Sequence, residues 1–312
     1  MFNQEIKERY IASRTKSVQA QYKNLFASSE VFEERLGKDL AEFPQHEFAE
    51  FIESHTWIEP DSVRTILGAC ASYADWYCDE FGFKEHDLRT YDLLRFPYAA
   101  SLSRVLTTDP ASLISRVAHV YDADSGQPAM AALCFAWLGF DSKEAIALRK
   151  EQVDTVTGRI YDVSGNIMIS HMPEEIRECL HIYGRTQSAI RVQNQTFTVY
   201  ADDRGLFIKR MITANSNKSG KPITTTQIAG WIVELRNKFA ELFGEHAALP
   251  LTYTNVQRSG NLYRLHEMAK SGVDVRSTTN ADKVRLCLGS SKRNHKDNML
   301  LYDAYLECIG EK

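Results

Sequence analysis

The stretch Leu251-Thr-Tyr-Thr-Asn-Val-Gln-Arg-Ser-Gly-Asn-Leu-Tyr-Arg-Leu-His-Glu-Met-Ala-Lys-Ser-Gly-Val-Asp-Val275 follows a proline and opens on polar residues. Leu262, Leu265, Met268 and Ala269 then fall on one stripe at helical spacing, and Gly272 supplies the stop. The spacing predicts an amphipathic helix whose first turn is polar and carries a cation. Asn255, Gln257 and Arg258 stand in that turn. These residue types contact phosphates and make bidentate bonds to base edges.

Around this helix the chain has 312 residues, a length that predicts about two domains. With 44% apolar and 25% charged residues it has enough apolar side chains for ordinary cores, which excludes a disordered chain. No apolar run approaches the roughly 20 residues of a membrane span. The N-terminus, Met-Phe-Asn-Gln-Glu-Ile-Lys-Glu-Arg-Tyr, lacks the apolar centre of a signal peptide, so a cytoplasmic location is expected. Cys70, Cys78, Cys134, Cys179, Cys287 and Cys308 form no Cys-x-x-Cys pair and read as reduced thiols. No metal and no cofactor is expected.

Net charge is −4, but it is unevenly spread: −7 over residues 1–110, −1 over 111–210 and +4 over 211–312. Local basic surface, rather than the total, sets affinity for phosphate. The gradient excludes a non-specific nucleic-acid coat and permits a specific binder that makes few phosphate contacts.

Residues 1 to about 90 read as helices only. Amphipathic segments are expected over Ser17–Phe26, Phe32–Leu40 and His46–Ile52. A longer helix should run from Pro60 to about Phe81, with Val63, Ile66, Leu67, Cys70, Tyr73 and Trp76 on its buried face. A partly ordered connection follows, and the domains are set at 1–104 and 105–312. Asp109-Pro110 and Gln127-Pro128 start helices, the second of them strongly apolar. Residues 152–170 read as short strands turning at Thr157-Gly158 and Ser164-Gly165. Pro173 starts a helix to about Ile182. Phe197–Tyr200 and Leu206–Ile208 read as a further hairpin. Thr224–Thr226 cap a helix whose core stripe runs from Ile228 to Phe243. Lys218 and Lys221 precede its start, and Thr225 and Gln227 lie on it, a setting suited to a phosphate.

Four segments together resemble the tyrosine recombinases, or phage integrases. In that family a histidine, two residues and an arginine open a helix that ends at a glycine; here the box reads Asn255-Val-Gln-Arg258. The frame around the family's first catalytic arginine matches at Gly139, Phe140, Glu144, Ile146, Leu148 and Asp154, with Asp141 at the arginine position. Asp141 also has the chemistry of a helix N-cap. Lys283–Lys296 resembles the leucine-glycine-histidine box, with Ser290 in place of the histidine and Lys292 and Arg293 just after it. Met299–Glu307 occupies the place of the nucleophile helix, Tyr302 being the better match and Tyr305 the runner-up. The N-terminal helices resemble the SAM-like core-binding domain, with Arg14, Thr15, Lys16 and Lys23 as candidate backbone contacts. The fold implied is mainly α with a small antiparallel β-sheet: a core-binding-like domain followed by a catalytic-fold domain.

The chemistry of that family needs two arginines, a histidine and a lysine around the phosphate attacked by tyrosine. In this sequence Asp141, Asn255 and Ser290 replace three of them, and no lysine lies between Lys150 and Lys209. Preorganised donors of this kind are worth roughly 3–4 kcal/mol each. Losing three removes on the order of 10 kcal/mol, about seven decades in rate. The resemblance therefore implies a sequence-specific regulator on double-stranded DNA rather than an enzyme, similar to the integrase-fold repressors that maintain lysogeny in SPβ-like phages. The alternatives are a recombinase with an altered residue set, using Tyr302 or Tyr305, and an interaction module that has lost DNA binding. The resemblance also implies self-association through the C-terminal helix; a regulatory protein or peptide partner is left unidentified.

Overall fold

The computed structural model describes residues 1–312 apart from 57–58, 84–87, 89–90, 92–95, 121–127, 186–187, 192–195, 202–204, 213–222 and 290–293; side chains are not described over 188–191, 196–201 and 210–212. The chain is mainly α with small antiparallel sheets. It divides into two compact units, Met1–Leu102 with Lys312, and Ser103–Glu311.

The first unit contains α1 (Gln4–Ala12), α2 (Lys16–Leu36), α3 (Gln45–Ser54) and α4 (Pro60–Phe81). Phe48, Phe51 and Ile52 of α3 are fully buried, as are Val63, Cys70 and Tyr73 of α4, so both expected stripes form the core. Tyr10, Tyr22, Phe26 and Tyr73 complete it through edge-on ring contacts, with centroids 4.7–6.2 Å apart. Pro60 sits in the first turn of α4, and Gly82, at φ 73°, closes it.

The sequence reading broke α2 into two segments, and the structure shows one helix. The intervening Ser28 and Ser29 do not interrupt it, because their hydroxyls donate back to the Leu25 and Phe26 carbonyls. The helix ends at Gly37, whose φ of 66° is left-handed. Helix α1 escaped notice because its inward face includes a lysine: Lys7 is completely buried and paired with Glu33 of α2, equally buried. Glu33 also accepts from Ser29 Oγ at 2.9 Å and from the Leu40 amide at 2.7 Å. The pair is thus hydrogen-bonded as well as neutralised, as buried charges must be.

The second unit is built around α7 (Pro128–Trp137), every residue of which is buried. α5 (Tyr98–Val105) and α6 (Pro110–Ala118), the latter capped by Asp109, precede it in the chain, and α8 (Ser142–Ala147) follows. Strands β1 (Val153–Asp154), β2 (Arg159–Tyr161) and β3 (Ile167–Ile169) form an antiparallel sheet in that order, with Ile160 facing Val153 and Ile169. After α9 (Glu174–Arg185) comes a second antiparallel sheet of β4 (Ser188–Arg191), β5 (Thr196–Ala201) and β6 (Arg210–Ile212). Then follow α10 (Thr225–Phe243), α11 (Glu245–Ala248), α12 (Tyr253–Lys270), α13 (Ala281–Cys287) and α14 (His295–Cys308).

The expected hairpin of Phe197–Tyr200 with Leu206–Ile208 is corrected in its second arm. β5 pairs with Arg210–Ile212, while Leu206 makes a single bridge to Arg149. Phe207 and Ile208 are instead core side chains, which explains their apolar character. All six cysteines are free thiols. Among the described residues no helix is long and apolar enough to cross a membrane, and no group of three His, Cys, Asp or Glu is placed to hold a metal ion.

Candidate functional site

Helix α12 is capped by Thr252, whose hydroxyl accepts from the Asn255 amide at 3.1 Å. The three polar residues of its first turn face the protein. Asn255 Nδ2 donates to the Leu249 carbonyl at 2.9 Å, and its Oδ1 accepts from Arg258 at 3.2 Å. Gln257 Nε2 donates to the Gly139 carbonyl at 2.9 Å, and the Tyr253 hydroxyl to the Phe140 carbonyl at 3.0 Å. These bonds hold the loop before α8 to the start of α12. All of Asn255, Gln257 and Arg258 are half-buried.

The cleft of the second unit opens six residues further along the same helix. It has a volume of about 680 Å³ and is lined by Gly139, Glu144, Asn261, Arg264, Gly289 and their neighbours; Asn255 and Arg258 are not among its walls. Asn261-Leu-Tyr-Arg264 repeats the Asn-x-x-Arg spacing of the first turn. At 3.6 residues per turn, a six-residue step rotates a side chain about 240° around the helix, so the two pairs point in different directions. The sequence reading placed the retained cation at Arg258. Among the described residues the arginine that lines this cleft is Arg264, which repeats the same spacing.

Arg264 is held tightly. Its guanidinium donates to the Trp137 carbonyl, at the C-terminus of α7, and to Asn261 Oδ1. Cations at helix C-termini satisfy carbonyls left without helical partners. Asn261 Nδ2 in turn donates to the Leu288 carbonyl at 3.0 Å, which ties α12 to the segment after α13. Burial lowers the basicity of Arg264 from its ordinary value. Gly139 has φ +97°, and a β-carbon there would lie 2.4 Å from Arg264 Nη2, so only glycine fits both the backbone and the guanidinium.

Asp141 is exposed and caps α8. Its Oδ1 accepts from the amides of Lys143 and Glu144, each at 2.8 Å, and Glu144 Oε2 accepts from the Asp141 amide at 2.8 Å. This is a complete capping box. Tyr302 and Tyr305 of α14 are both buried, at 4% and 1% exposure. The Tyr302 hydroxyl lies 3.1 Å from His266 Nδ1. Burial raises the pKa of both phenols above the usual tyrosine range; Arg276 partly offsets this for Tyr302.

The remaining candidates are scattered. Arg14 stacks on Tyr10, with Cζ 4.2 Å from the ring centre. Thr15, Lys16 and Lys23 are exposed, Lys16 opening α2. Gln227 is exposed, but its Oε1 accepts from the Thr224 amide at 2.9 Å in a capping box, and Thr225 beside it is half-buried. Lys218, Lys221, Ser290, Lys292 and Arg293 lie outside the described residues.

Residues 1–79 match the family model described as the MrpR N-terminal core-binding domain. Over 288 residues the chain is 24% identical to the SPbeta prophage-derived uncharacterized protein YopR of Bacillus subtilis (strain 168), covering 86% of this chain and 83% of that one. Among solved structures it is similar to XerA recombinase, at 15% identity and a TM-score of 0.38 over 98% of this chain and 97% of that one. It is similar also to the Tn1549 transposon integrase in complex with a circular intermediate DNA, at 13% identity and a TM-score of 0.38 over 99% and 98%. The first unit is thus of core-binding type. The family match agrees with the core-binding-like first domain that the sequence resembles, and the relative is a prophage protein.

Proposed function

We propose that the chain is a sequence-specific DNA-binding regulator of the phage-repressor kind, which holds duplex DNA without cutting it. The observation that carries this reading is Asp141. At the position where the resembling family places an arginine, this chain has an exposed carboxylate committed to a helix cap. A carboxylate there cannot offset the charge of a phosphate under attack, and its removal would cost the capping box.

Two further features support the same reading. Among the described residues the cleft has a single arginine, already bonded to a helix terminus. The tyrosine hydroxyls are buried and held neutral. Phosphate contacts without chemistry are still available to the core-binding unit, whose exposed Lys16 and Lys23 share α2.

The test is selection of duplexes from a random library with the full chain, scored for both retention and covalent linkage. Recovery of a consensus duplex that elutes completely with salt supports the proposal. A denaturant-resistant adduct at Tyr302 or Tyr305 would instead make the protein a recombinase with an altered residue set. Absence of any retained duplex at low salt would leave the interaction module, a reading that the net charge of −4 also accommodates.

A further inference from the structure

In the first unit the described lysines and arginines are tied up in ion pairs, with three exceptions. Lys7 pairs with Glu33, Arg9 with Glu80, Arg35 with Glu50, Lys38 with Glu47 and Arg64 with Asp61. Arg14, Lys16 and Lys23 have no carboxylate partner among the described residues. They are also neighbours in sequence. From Arg9 to Ser29 the chain contains no aspartate or glutamate, although residues 1–110 carry a net charge of −7. Cations left unneutralised on one stretch of an otherwise acidic unit mark where a polyanion can approach it.

The same face of α2 carries a side chain able to read bases. Lys16, Ala20, Lys23, Asn24 and Ala27 are all exposed, and at 3.6 residues per turn they fall within an arc of about 100°. Asn24 makes no side-chain hydrogen bond among the described residues, so its amide is available to a ligand. By contrast Asn3, Asn255, Asn261 and Asn294 all donate to groups of the protein itself. An amide presents a donor and an acceptor side by side, which matches the N6 and N7 edge of adenine in the major groove, and that groove is wide enough to admit a helix. Ala20 and Ala27, one turn before and one turn after Asn24, put no bulk between the helix and the base edges.

We propose that α2 lies in the major groove of duplex DNA, that Asn24 is a specificity-determining residue bonded to one adenine, and that Lys16 and Lys23 hold the flanking phosphates. Arg14, stacked on Tyr10 just before the helix, extends the same cationic surface. This assignment rests on the DNA-binding reading above, and adds to it the element and the side chain that distinguish one sequence from another.

The test selects duplexes from a random library with the full chain. Affinity is then measured for the consensus and for each single-pair change in it, with the parent, Asn24→Ala and Lys23→Ala. Asn24 is exposed in a helix interior and alanine is the better helix former, so Asn24→Ala keeps the fold. In the parent, one adenine of the consensus should be preferred about tenfold or more over the other bases. Asn24→Ala should lose that preference at that position alone. Lys23→Ala should weaken binding to all duplexes by a similar factor and leave every preference in place. If the parent selects a consensus but Asn24→Ala keeps all its preferences, or loses affinity uniformly, Asn24 does not read sequence and this assignment alone fails. If the parent retains no duplex at low salt, the DNA-binding reading fails and the assignment fails with it.

Discussion

Gly260 packs against the backbone of Trp137 so closely that a β-carbon added to it would lie 1.8 Å from the Trp137 carbonyl oxygen. This contact sets how near α12 approaches the buried α7, and so where Asn261 and Arg264 stand. Backbone cannot yield as a flexible side chain does, so Gly260→Ala should cost at least about 3 kcal/mol. In a unit of this size that lowers the melting temperature by roughly 6–12 °C. Gly230 on α10 is the control. A β-carbon there meets nothing within 4 Å, and Gly230→Ala should raise stability by about 0.4–1 kcal/mol. Paired thermal melts of the two variants check both signs; equal effects would mean that the packing at Gly260 is misjudged.

The Lys7–Glu33 pair is completely buried at both ends. Removing one partner strands the other charge, so Lys7→Met and Glu33→Gln should each cost about 3–5 kcal/mol. The double variant Lys7→Met/Glu33→Gln leaves no charge behind and keeps an acceptor for the Leu40 amide, so it should recover most of that loss. Burial raises the pKa of Glu33 above the ordinary carboxylate value, with Lys7 pulling it partly back. A raised native pKa means that the folded form binds the proton more tightly. The corresponding stability is therefore full below the ordinary value and is lost as pH rises through the raised one. Urea unfolding at a series of pH values should show that decline in the parent and not in Glu33→Gln.

Much of the architecture was legible because burial here follows simple periodicity. The α4 stripe from Val63 to Tyr73 and the Asp109-Pro110 start of α6 are local signals, and the structure bears them out. The failures share a cause: long-range pairing that overrides composition. Lys7 reads as surface until Glu33 is brought against it, and Ser28-Ser29 reads as a break until the hydroxyls turn back on their own helix. The site was harder to read. Asp141 was recognisable as a cap, but the cleft's Arg264 was not separable from Arg258 by spacing, since both follow an asparagine by three residues. Only the approach of α7 to Gly260 decides which pair faces the opening.

Asp141 gives a prediction that separates stability from binding. Asp141→Ala removes a cap and half of a capping box, and should cost about 1 kcal/mol. Because the carboxylate is not expected to hold DNA, affinity for a selected duplex should stay within a factor of two. Asp141→Arg should tighten duplex binding at low salt yet still yield no covalent adduct, since the tyrosines remain buried. An adduct formed by Asp141→Arg would show that one missing cation, rather than the arrangement of the site, prevents cleavage.

Tyr302 is the next case. Its hydroxyl meets His266 Nδ1 at 3.1 Å, and His266 Nε2 lies 3.2 Å from Glu311 near the C-terminus. Tyr302→Phe should lose about 1 kcal/mol with that hydrogen bond and leave duplex retention unchanged. A nucleophilic role predicts the opposite pattern, with little change in stability and loss of an adduct that the parent forms. Denaturing electrophoresis of both proteins with labelled nicked duplex, run beside thermal melts, distinguishes the two.

The core-binding unit provides the measurement most specific to DNA. Lys16 opens α2 and is exposed, with Arg14 two residues before it stacked on Tyr10. A lysine on a phosphate releases about one counter-ion when the duplex binds, so Lys16→Ala should flatten the slope of log affinity against log salt by about 0.9. The loss should be similar for selected and unselected duplexes, because phosphate contacts position the protein without reading sequence. Arg14→Lys should change less in the salt slope, since the charge is kept, and more in stability, since the stack on Tyr10 is lost. If Lys16→Ala leaves the slope unaltered while the parent still binds duplex, the contact surface lies away from the start of α2.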